Sequence, residues 1–279
     1  MNEQALKERL KTISKEMGLT FNDCWKRLLL ERFLARIASS KHRDKLIFKG
    51  GFLLSYLLDT DRETVDLDFL LTKLKAQASN IQTFMEDVAK EKINDGFVFT
   101  FASIEELSQP HMEYTGFRIS FTATFGNVRD AVQIDLGIGD DIKPEVRNLK
   151  LFSYKGKPMF EEDISLLVYP LESVFAEKLH ALVSHGRANS RMKDYHDMFV
   201  MIRDRAIEKS ELKKAIQITF SQRDQKFKNP IEFSEEDINQ LQKTWNFYRT
   251  KQKAAKLPAS LVEVIDMINE FLKKMSFSD

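Results

Sequence analysis

Apolar residues recur along this chain with two different periods, and the change from one to the other divides it. The first 40 residues predict two helices. The second opens at an Asn22 cap and carries Trp25, Leu28, Leu29, Phe33 and Ile37 at helical spacing. Leu46–Phe48 predicts a short buried strand, then Lys49-Gly50-Gly51 and an apolar helix over Phe52–Leu58. Over Val65–Leu71 carboxylates alternate with apolar residues, the period of a strand. A helix is expected over 77–94, with strands over Phe97–Phe101, Phe117–Phe125, Asp130–Ile138 and Ser165–Tyr169, rich in β-branched and aromatic residues. From Leu171 onward the period is helical almost throughout: 171–185, 193–205, 210–221, 235–249 and 259–275. The expected domains are therefore a mixed α/β segment over 1–170 and an all-helical one over 171–279.

Composition narrows the class. The apolar share, 43%, supplies a sizeable core, and ten Gly with six Pro leave little room for flexible linkers. The formal charge is +1, from 43 basic and 42 acidic residues, which excludes a globally basic nucleic-acid coat protein but permits local basic patches. A single cysteine, Cys24, excludes a disulfide framework and a cysteine-only zinc site, and fits a reducing cytoplasm. The opening MNEQALKERLK has no apolar segment of a signal peptide. No apolar run approaches the ~18–20 residues of a membrane span.

The chemistry concentrates around Lys49-Gly50-Gly51 and, after fourteen intervening residues, Asp66-Leu67-Asp68. Side chains at i and i+2 of a strand share a face, roughly 6–7 Å apart along the backbone. Two carboxylates so placed can hold Mg²⁺ and leave waters free for substrate phosphates; otherwise they are solvent-facing acids of an edge strand. Like charges side by side need compensation, and a divalent cation supplies it. Gly50 and Gly51, between a strand and a helix, let the backbone turn and present N–H groups to an anion. Asp135 lies opposite Ile134 and Leu136 in the Val132–Ile138 segment. If that strand pairs beside the Asp66 strand, three carboxylates meet, the usual complement for two metal ions about 3.5–4 Å apart. Asp135 is then a metal ligand or the base; the alternative is a strand-end aspartate before a turn.

The helical half offers a second constellation. Lys178 falls inside the apolar arc of Leu171, Val174, Phe175, Leu179 and Leu182. It either snorkels from the edge or neutralises phosphate in a cleft. Asp194, near the start of the next helix, is either a first-turn acid favoured by the helix dipole or a base or orienting group, while Asp197 falls nearer the polar side with Asp204. His180 and His185 lie about 140° apart on one helix and His196 is on the next, so no zinc pair forms. The Lys243–Lys256 stretch holds five basic residues and no acid, interleaved with Trp245, Phe247 and Tyr248. Lys243, Arg249, Lys251 and Lys253, with Arg191, are candidate RNA contacts; the alternative is a helix with core aromatics and solvated lysines.

Taken in order, Glu31-Arg-Phe-Leu34, Phe48-Lys-Gly-Gly51, Arg62-Glu-Thr64-Val-Asp66-Leu-Asp68, Gln133-Ile-Asp-Leu-Gly137, Ala176-Glu-Lys-Leu-His-Ala181 and Arg191-x-Lys193-Asp194 resemble the AbiEii/AbiGii toxin family, from about residue 20 to 205. The resemblance implies an α+β fold, a polymerase-beta-like nucleotidyltransferase mixed sheet flanked by helices, with a C-terminal helical bundle. It implies the toxin half of an abortive-infection, type IV-like toxin–antitoxin system in phage defence, cytoplasmic, with a cognate antitoxin encoded nearby. Lys49, Gly50, Gly51, Arg62, Thr64 and Lys193 would bind NTP; Asp66, Asp68 and Asp135 would hold two Mg²⁺ ions. Lys178 would contact phosphate and Asp194 would assist. Some relatives transfer nucleotides to an RNA acceptor, the 3′ end of tRNA; others favour GTP or have no settled acceptor. One departure is that the superfamily usually has Gly-Ser where this chain has Gly50-Gly51, so a serine contact to phosphate is missing. The spacing from Gly51 to Asp66 is also slightly long. Two alternatives stand beside this reading: a nucleotidyltransferase with a small-molecule, antibiotic-type acceptor, and a non-catalytic nucleotide- or RNA-binding module.

Overall fold

The computed structural model describes residues 1–60, 64–72, 77–107, 116–138, 142–160, 163–186, 191–252 and 256–275. The chain divides into two compact units, Met1–Tyr56 with Thr64–Tyr169, and Leu57–Glu63 with Pro170–Asp279.

The first unit contains α1 (Glu3–Met17), α2 (Phe21–Ser39), β1 (Leu46–Lys49), α3 (Gly50–Leu57), β2 (Asp66–Leu71), α4 (Ala78–Ala89), β3 (Val98–Leu107), β4 (Gly116–Phe125), β5 (Val128–Ile138), β6 (Glu145–Lys150), the short pair β7 (Ser153–Tyr154) and β8 (Lys157–Pro158), and β9 (Asp163–Val168). Seven strands form one mixed sheet in the order β3-β4-β5-β2-β1-β9-β6. β1 and β2 are antiparallel neighbours, and β2 runs parallel to β5. The fold class is thus α+β, as the resemblance implies.

The helix expected over 77–94 ends at Ala89, and the strand expected over Phe97–Phe101 runs on to Leu107; two further details differ from the pattern reading. α2 is capped by Thr20, not Asn22: the Thr20 hydroxyl accepts from the Asp23 N–H, and the Asp23 carboxylate accepts from the Thr20 N–H. This reciprocal arrangement satisfies two backbone donors at once, which a single Asn22 contact inside the first turn does not. β6 was not anticipated because only Leu149 in it is buried. Its backbone pairs with β9 from Glu145 to Lys150, and strand pairing needs no apolar alternation on an edge.

The register builds the core. Phe48, Phe69, Leu136 and Phe117 are successive cross-strand neighbours on β1, β2, β5 and β4, and all are buried. α2 contributes the buried Leu28, Leu29, Phe33 and Ile37. It also buries Arg36, which donates to both oxygens of Asp95 at 2.8 and 3.0 Å and to the Phe97 carbonyl at 2.7 Å. Glu31, in the first resemblance motif, is fully buried too. It accepts from Arg27 Nε at 3.2 Å, the Tyr56 hydroxyl at 3.0 Å and the Phe152 N–H at 2.8 Å, tying α2 to α3 and to the segment before β7. Burial pushes its carboxyl above the ordinary range, although Arg27 and the other donors oppose this. Glu31 is a structural junction.

The second unit is helical: α5 (Leu171–His185), α6 (Met192–Arg203), α7 (Lys209–Ser221), α8 (Glu235–Gln252) and α9 (Leu261–Lys273). These ends lie within three residues of the predicted ones. α5 packs on α6 and α7, while α9 packs on α6 and α8. Phe175, Leu179, Met198, Met201, Leu212, Trp245 and Ile268 fill the interior. Among the described residues, no helix is long and apolar enough to cross a membrane.

Candidate active site

One residue along from the apolar row, on the opposite face of the sheet, runs a row of charges. Lys49 on β1 pairs with Asp68 on β2, Asp68 with Asp135 on β5, and Asp135 with Arg118 on β4. Alternation along each strand forces this arrangement: if Phe48, Phe69, Leu136 and Phe117 face the core, their chain neighbours face away. Asp66 shares the face of Asp68, two residues earlier, and its own cross-strand partner is Gln133. All four acids and bases of the row, and Asp66, are half-buried.

The Asp68 carboxylate lies against the backbone of Gly50. A Cβ placed on Gly50 would meet Asp68 Oδ2 at 1.8 Å, Cγ at 2.4 Å and Cβ at 2.6 Å. Gly50 also has φ +75°, in the left-handed region. Glycine is required there twice over, by the turn from β1 into α3 and by the room that Asp68 takes. Gly51 follows as the second residue of α3. Lys49 Nζ sits 4.5 Å from the centroid of the Tyr169 ring, a cation–π contact beside the same row. The Thr64 hydroxyl, just before β2, is buried and has no hydrogen-bond partner among the described residues.

Asp135 is where the structure departs from the expected three-carboxylate centre. Arg118 Nε donates to Oδ1 at 2.8 Å and Nη2 to Oδ2 at 2.7 Å, so both carboxylate oxygens are engaged. Hydrogen bonding and charge from Asp135, aided by Asp66 and Glu105, raise the guanidinium pKa against a small opposing effect of burial. Among the described residues, no group of three or more His, Cys, Asp and Glu side chains is placed to hold a metal ion. Asp135 is compensated by a cation of the protein itself. Sequence reasoning missed Arg118 because nothing local marks it. Its position on the polar face of β4, with Ser120, Thr122 and Thr124, was readable; its register against Asp135 was not.

Asp66 and Asp68 are the carboxylates that would hold a divalent cation. Asp66 and Asp68 share one strand face, one of them in a hollow that only glycine leaves open, and Mg²⁺ typically takes one or two carboxylates plus waters and substrate phosphates.

In the helical unit, Lys178 Nζ bridges Asp194 Oδ1 at 2.7 Å and Asp197 Oδ2 at 2.8 Å. Arg191 Nε lies 2.9 Å from Asp194 Oδ2. Both aspartates are buried, against the expectation that Asp197 sits near the polar side. Asp194 is thus a buried counter-ion, not an exposed first-turn acid, and Lys178 reaches acids on α6. Burial, then the Asp194 charge, pushes the neighbouring Tyr195 hydroxyl well above its ordinary pKa. His196 is buried and its Nδ1 is 2.8 Å from the Tyr248 hydroxyl, a structural contact. Lys193 is exposed on the first turn of α6.

The aromatic and basic stretch of α8 divides. Trp245 is core, its Nε1 donating to the Pro258 carbonyl, and Arg249 Nη2 donates to the Leu257 carbonyl. Lys243, Lys251 and Phe247 are exposed, Phe247 at 71%. Arg62 and Lys253 lie outside the described residues.

Comparison with known proteins decides the family. The model of the family described as nucleotidyl transferase AbiEii toxin, type IV toxin–antitoxin system, matches residues 32–267. This chain belongs to the AbiEii family. It is accordingly a nucleotidyltransferase, the toxin component of a type IV toxin–antitoxin system, and the family implies a nucleotide substrate and a cognate antitoxin. The non-catalytic alternative is set aside. Two solved structures share the AbiEii chain's fold. JHP933 from Helicobacter pylori superposes with a TM-score of 0.55 at 13% identity, covering 92% of this chain and 94% of its own. A candidate nucleotidyltransferase from H. pylori superposes with a TM-score of 0.50 at 13% identity, covering 93% of this chain and 100% of its own. No curated protein sequence matches the chain.

Proposed function

We propose that this AbiEii protein transfers NMP from an NTP to an RNA acceptor, such as the 3′ end of tRNA, in an Mg²⁺-dependent reaction. The observation that carries the reading is the contact of Asp68 with the Gly50 backbone, which sets a carboxylate at the start of a helix with no side chain between. Asp66 and Asp68 are the residues that would hold Mg²⁺. When bound, the ion supplies charge stabilisation to the phosphoryl group undergoing transfer.

The chain's own groups do the rest. The free N–H groups at the start of α3 offer donors to phosphate oxygens, and Gly50 lets the backbone approach them closely. Lys49, held over Tyr169, adds positive charge next to the acids and offsets the repulsion between Asp68 and an incoming triphosphate. The unpartnered Thr64 hydroxyl is a further candidate contact. Catalysis on this reading is positioning and charge neutralisation. Lys178 and Asp194 are assigned a supporting role in the helical unit, because the Lys178 ammonium is already neutralised by two carboxylates.

RNA is favoured as acceptor by the exposed Lys243, Phe247 and Lys251, a cation–aromatic–cation surface on α8. A small-molecule acceptor is the second reading, favoured by Trp245 and Arg249 being spent on contacts inside the helical unit. The test is incubation with each radiolabelled NTP, Mg²⁺ and total cellular RNA, followed by electrophoresis. Label is expected in a small RNA band and absent with Asp66→Ala or Asp68→Ala. Labelling that survives both substitutions removes these acids from the mechanism.

A further inference from the structure

We infer that the β7–β8 hairpin and α1 form a phosphate-contact surface for RNA, centred on the Tyr154 ring and carried by Arg9, Lys155 and Lys157. This rests on the reading that the acceptor is RNA, and gives that RNA a place on the unit that contains the sheet.

From Lys150 to Phe160 the chain carries three lysines and no acid. Tyr154 stands directly opposite Lys157 in the ladder of β7 with β8, so the two side chains share one face of the hairpin. Lys155 and Gly156 make the turn, at φ +51° and +73°. Asn, Asp or Gly takes such a conformation more readily than lysine, so the turn itself gains nothing from a lysine at its tip. What the lysine adds is charge. Its Nζ lies 5.3 Å from the centroid of the Tyr154 ring, and the Arg9 guanidinium, reaching over from α1, lies 5.4 Å from the same centroid. Three cations are thus gathered about one ring, with Lys155 and Lys157 exposed and Arg9 half-buried.

Among the described residues, none of the three has a carboxylate partner. On α1, Glu3 is taken by Lys7 and Glu8 by Lys11, while Glu16 lies two turns beyond Arg9 along its face. Lys150 is not counted, because Asp163 stands opposite it on β9. Glu161 and Glu162 lie outside the described residues. Like charges held together favour a partner that brings several negative charges at once, and a nucleic-acid backbone does so while releasing its counterions. Ser153, Gly156 and Pro158, the other exposed residues of the hairpin, offer no large apolar side chain for a protein interface or a lipid surface. The hairpin is also rooted beside the candidate active site's own helix. Arg27 packs 5.2 Å from the Phe152 ring and 5.1 Å from the Tyr56 ring, at the end of α3 away from Gly50. The eight residues of α3 span about 12 Å, so RNA held on the hairpin is within reach of the Gly50 turn.

The experiment follows binding of fluorescein-labelled tRNA to the intact protein by anisotropy across a salt titration, without NTP. The triple variant Arg9→Gln, Lys155→Gln, Lys157→Gln should bind more weakly. Its dependence of log affinity on log salt should be shallower by about 2–3, at ~0.7–0.9 per lost phosphate contact. Lys155→Gln with Lys157→Gln alters only exposed side chains and should give about two-thirds of that change, which guards against a folding defect from Arg9. Lys226→Gln, Lys228→Gln, Lys274→Gln removes the same charge from exposed positions of the helical unit and should keep the wild-type slope. An unchanged slope in the hairpin variants, an equal loss in the control, or a wild type that binds no tRNA overturns the inference. So does a triple variant that keeps tRNA but loses phosphatidylserine vesicles, which would assign the hairpin to a membrane. Failure of the acceptor reading looks different: tRNA binding would depend on the hairpin, yet no NTP would label the RNA.

Discussion

Replacing Gly50 with alanine tests the tightest contact in the candidate site. Two separate penalties apply. At φ +75° an L-residue costs roughly 1–2 kcal/mol more than glycine. The added methyl would also lie 1.8 Å from Asp68 Oδ2 and 2.6 Å from Asp68 Cβ. Rotating the carboxylate relieves the first overlap but not the second, because Cβ is fixed to the β2 backbone. The strand or the turn must therefore move, at about 1–3 kcal/mol, the usual range for overpacking. Gly156 isolates the first penalty: its φ is +73° and a Cβ there meets nothing within 4 Å. Urea unfolding should place Gly156→Ala about 1 kcal/mol below wild type, once the lower chain entropy of alanine is credited. Gly50→Ala should fall about 2–5 kcal/mol below, with at least a tenfold loss of RNA labelling. In an Asp68→Gly background the excess over Gly156→Ala should vanish. An excess that persists there, or equal losses for the two alanine variants in the wild-type background, would refute the close-approach argument.

The helical unit supports two further expectations. Lys178→Met removes the ammonium that bridges the buried Asp194 and Asp197, so it should destabilise that unit by about 3–5 kcal/mol in urea titrations; a loss under about 1 kcal/mol would show the cluster to be weakly coupled. His180 has its pKa lowered from 6.5 to about 4, by burial first and then by Arg223. Since the folded value is the lower one, its contribution to stability is complete above pH 6.5 and is lost as pH falls toward 4, when the unfolded chain takes up a proton that the folded one refuses. Discounted for partial exposure, the loss is about 1–2 kcal/mol, and the difference in stability between pH 7 and pH 4.5 should shrink by that amount in His180→Phe.

The helical half was legible nearly to its ends because each helix carries its own apolar stripe, and the stripe is a property of one segment. Strands on both sides of Gly50-Gly51 were legible for the same reason. β6 was not, since an edge strand stabilised by its ladder to β9 needs only Leu149 inside. The fully buried Arg36 and Glu31 were invisible as well: α2 is enclosed on nearly every side, and its charged residues are satisfied by Asp95 and by the Phe152 N–H, far along the chain. Lys178 was correctly singled out as a cation inside an apolar arc, but its partners were only half readable. Asp197 looked polar-facing on an isolated helix, and it is the packing of α5 on α6 that buries it.

The candidate site shows the same division between what one strand encodes and what pairing decides. Asp66, Asp68 and Gly50 are fixed by local rules: a two-residue period, a left-handed turn, a helix start. That β5 lies beside β2 could be posed from sequence only as a condition, and the condition holds, with Asp68 directly opposite Asp135. Yet the consequence drawn from it, that three acids converge on metal, does not follow from adjacency. Adjacent like charges must be compensated, and compensation can come from a bound cation or from a protein cation in the next strand. In this sheet the next strand is β4, and the residue at that register is Arg118. Because β5 has two neighbours, the question of which charge Asp135 meets is settled by whichever is closer and better oriented. A guanidinium at 2.7 and 2.8 Å on both oxygens leaves an incoming metal ion only the prospect of displacing it. The register of β4 against β5 therefore decides which charge Asp135 meets, and no single strand could show it.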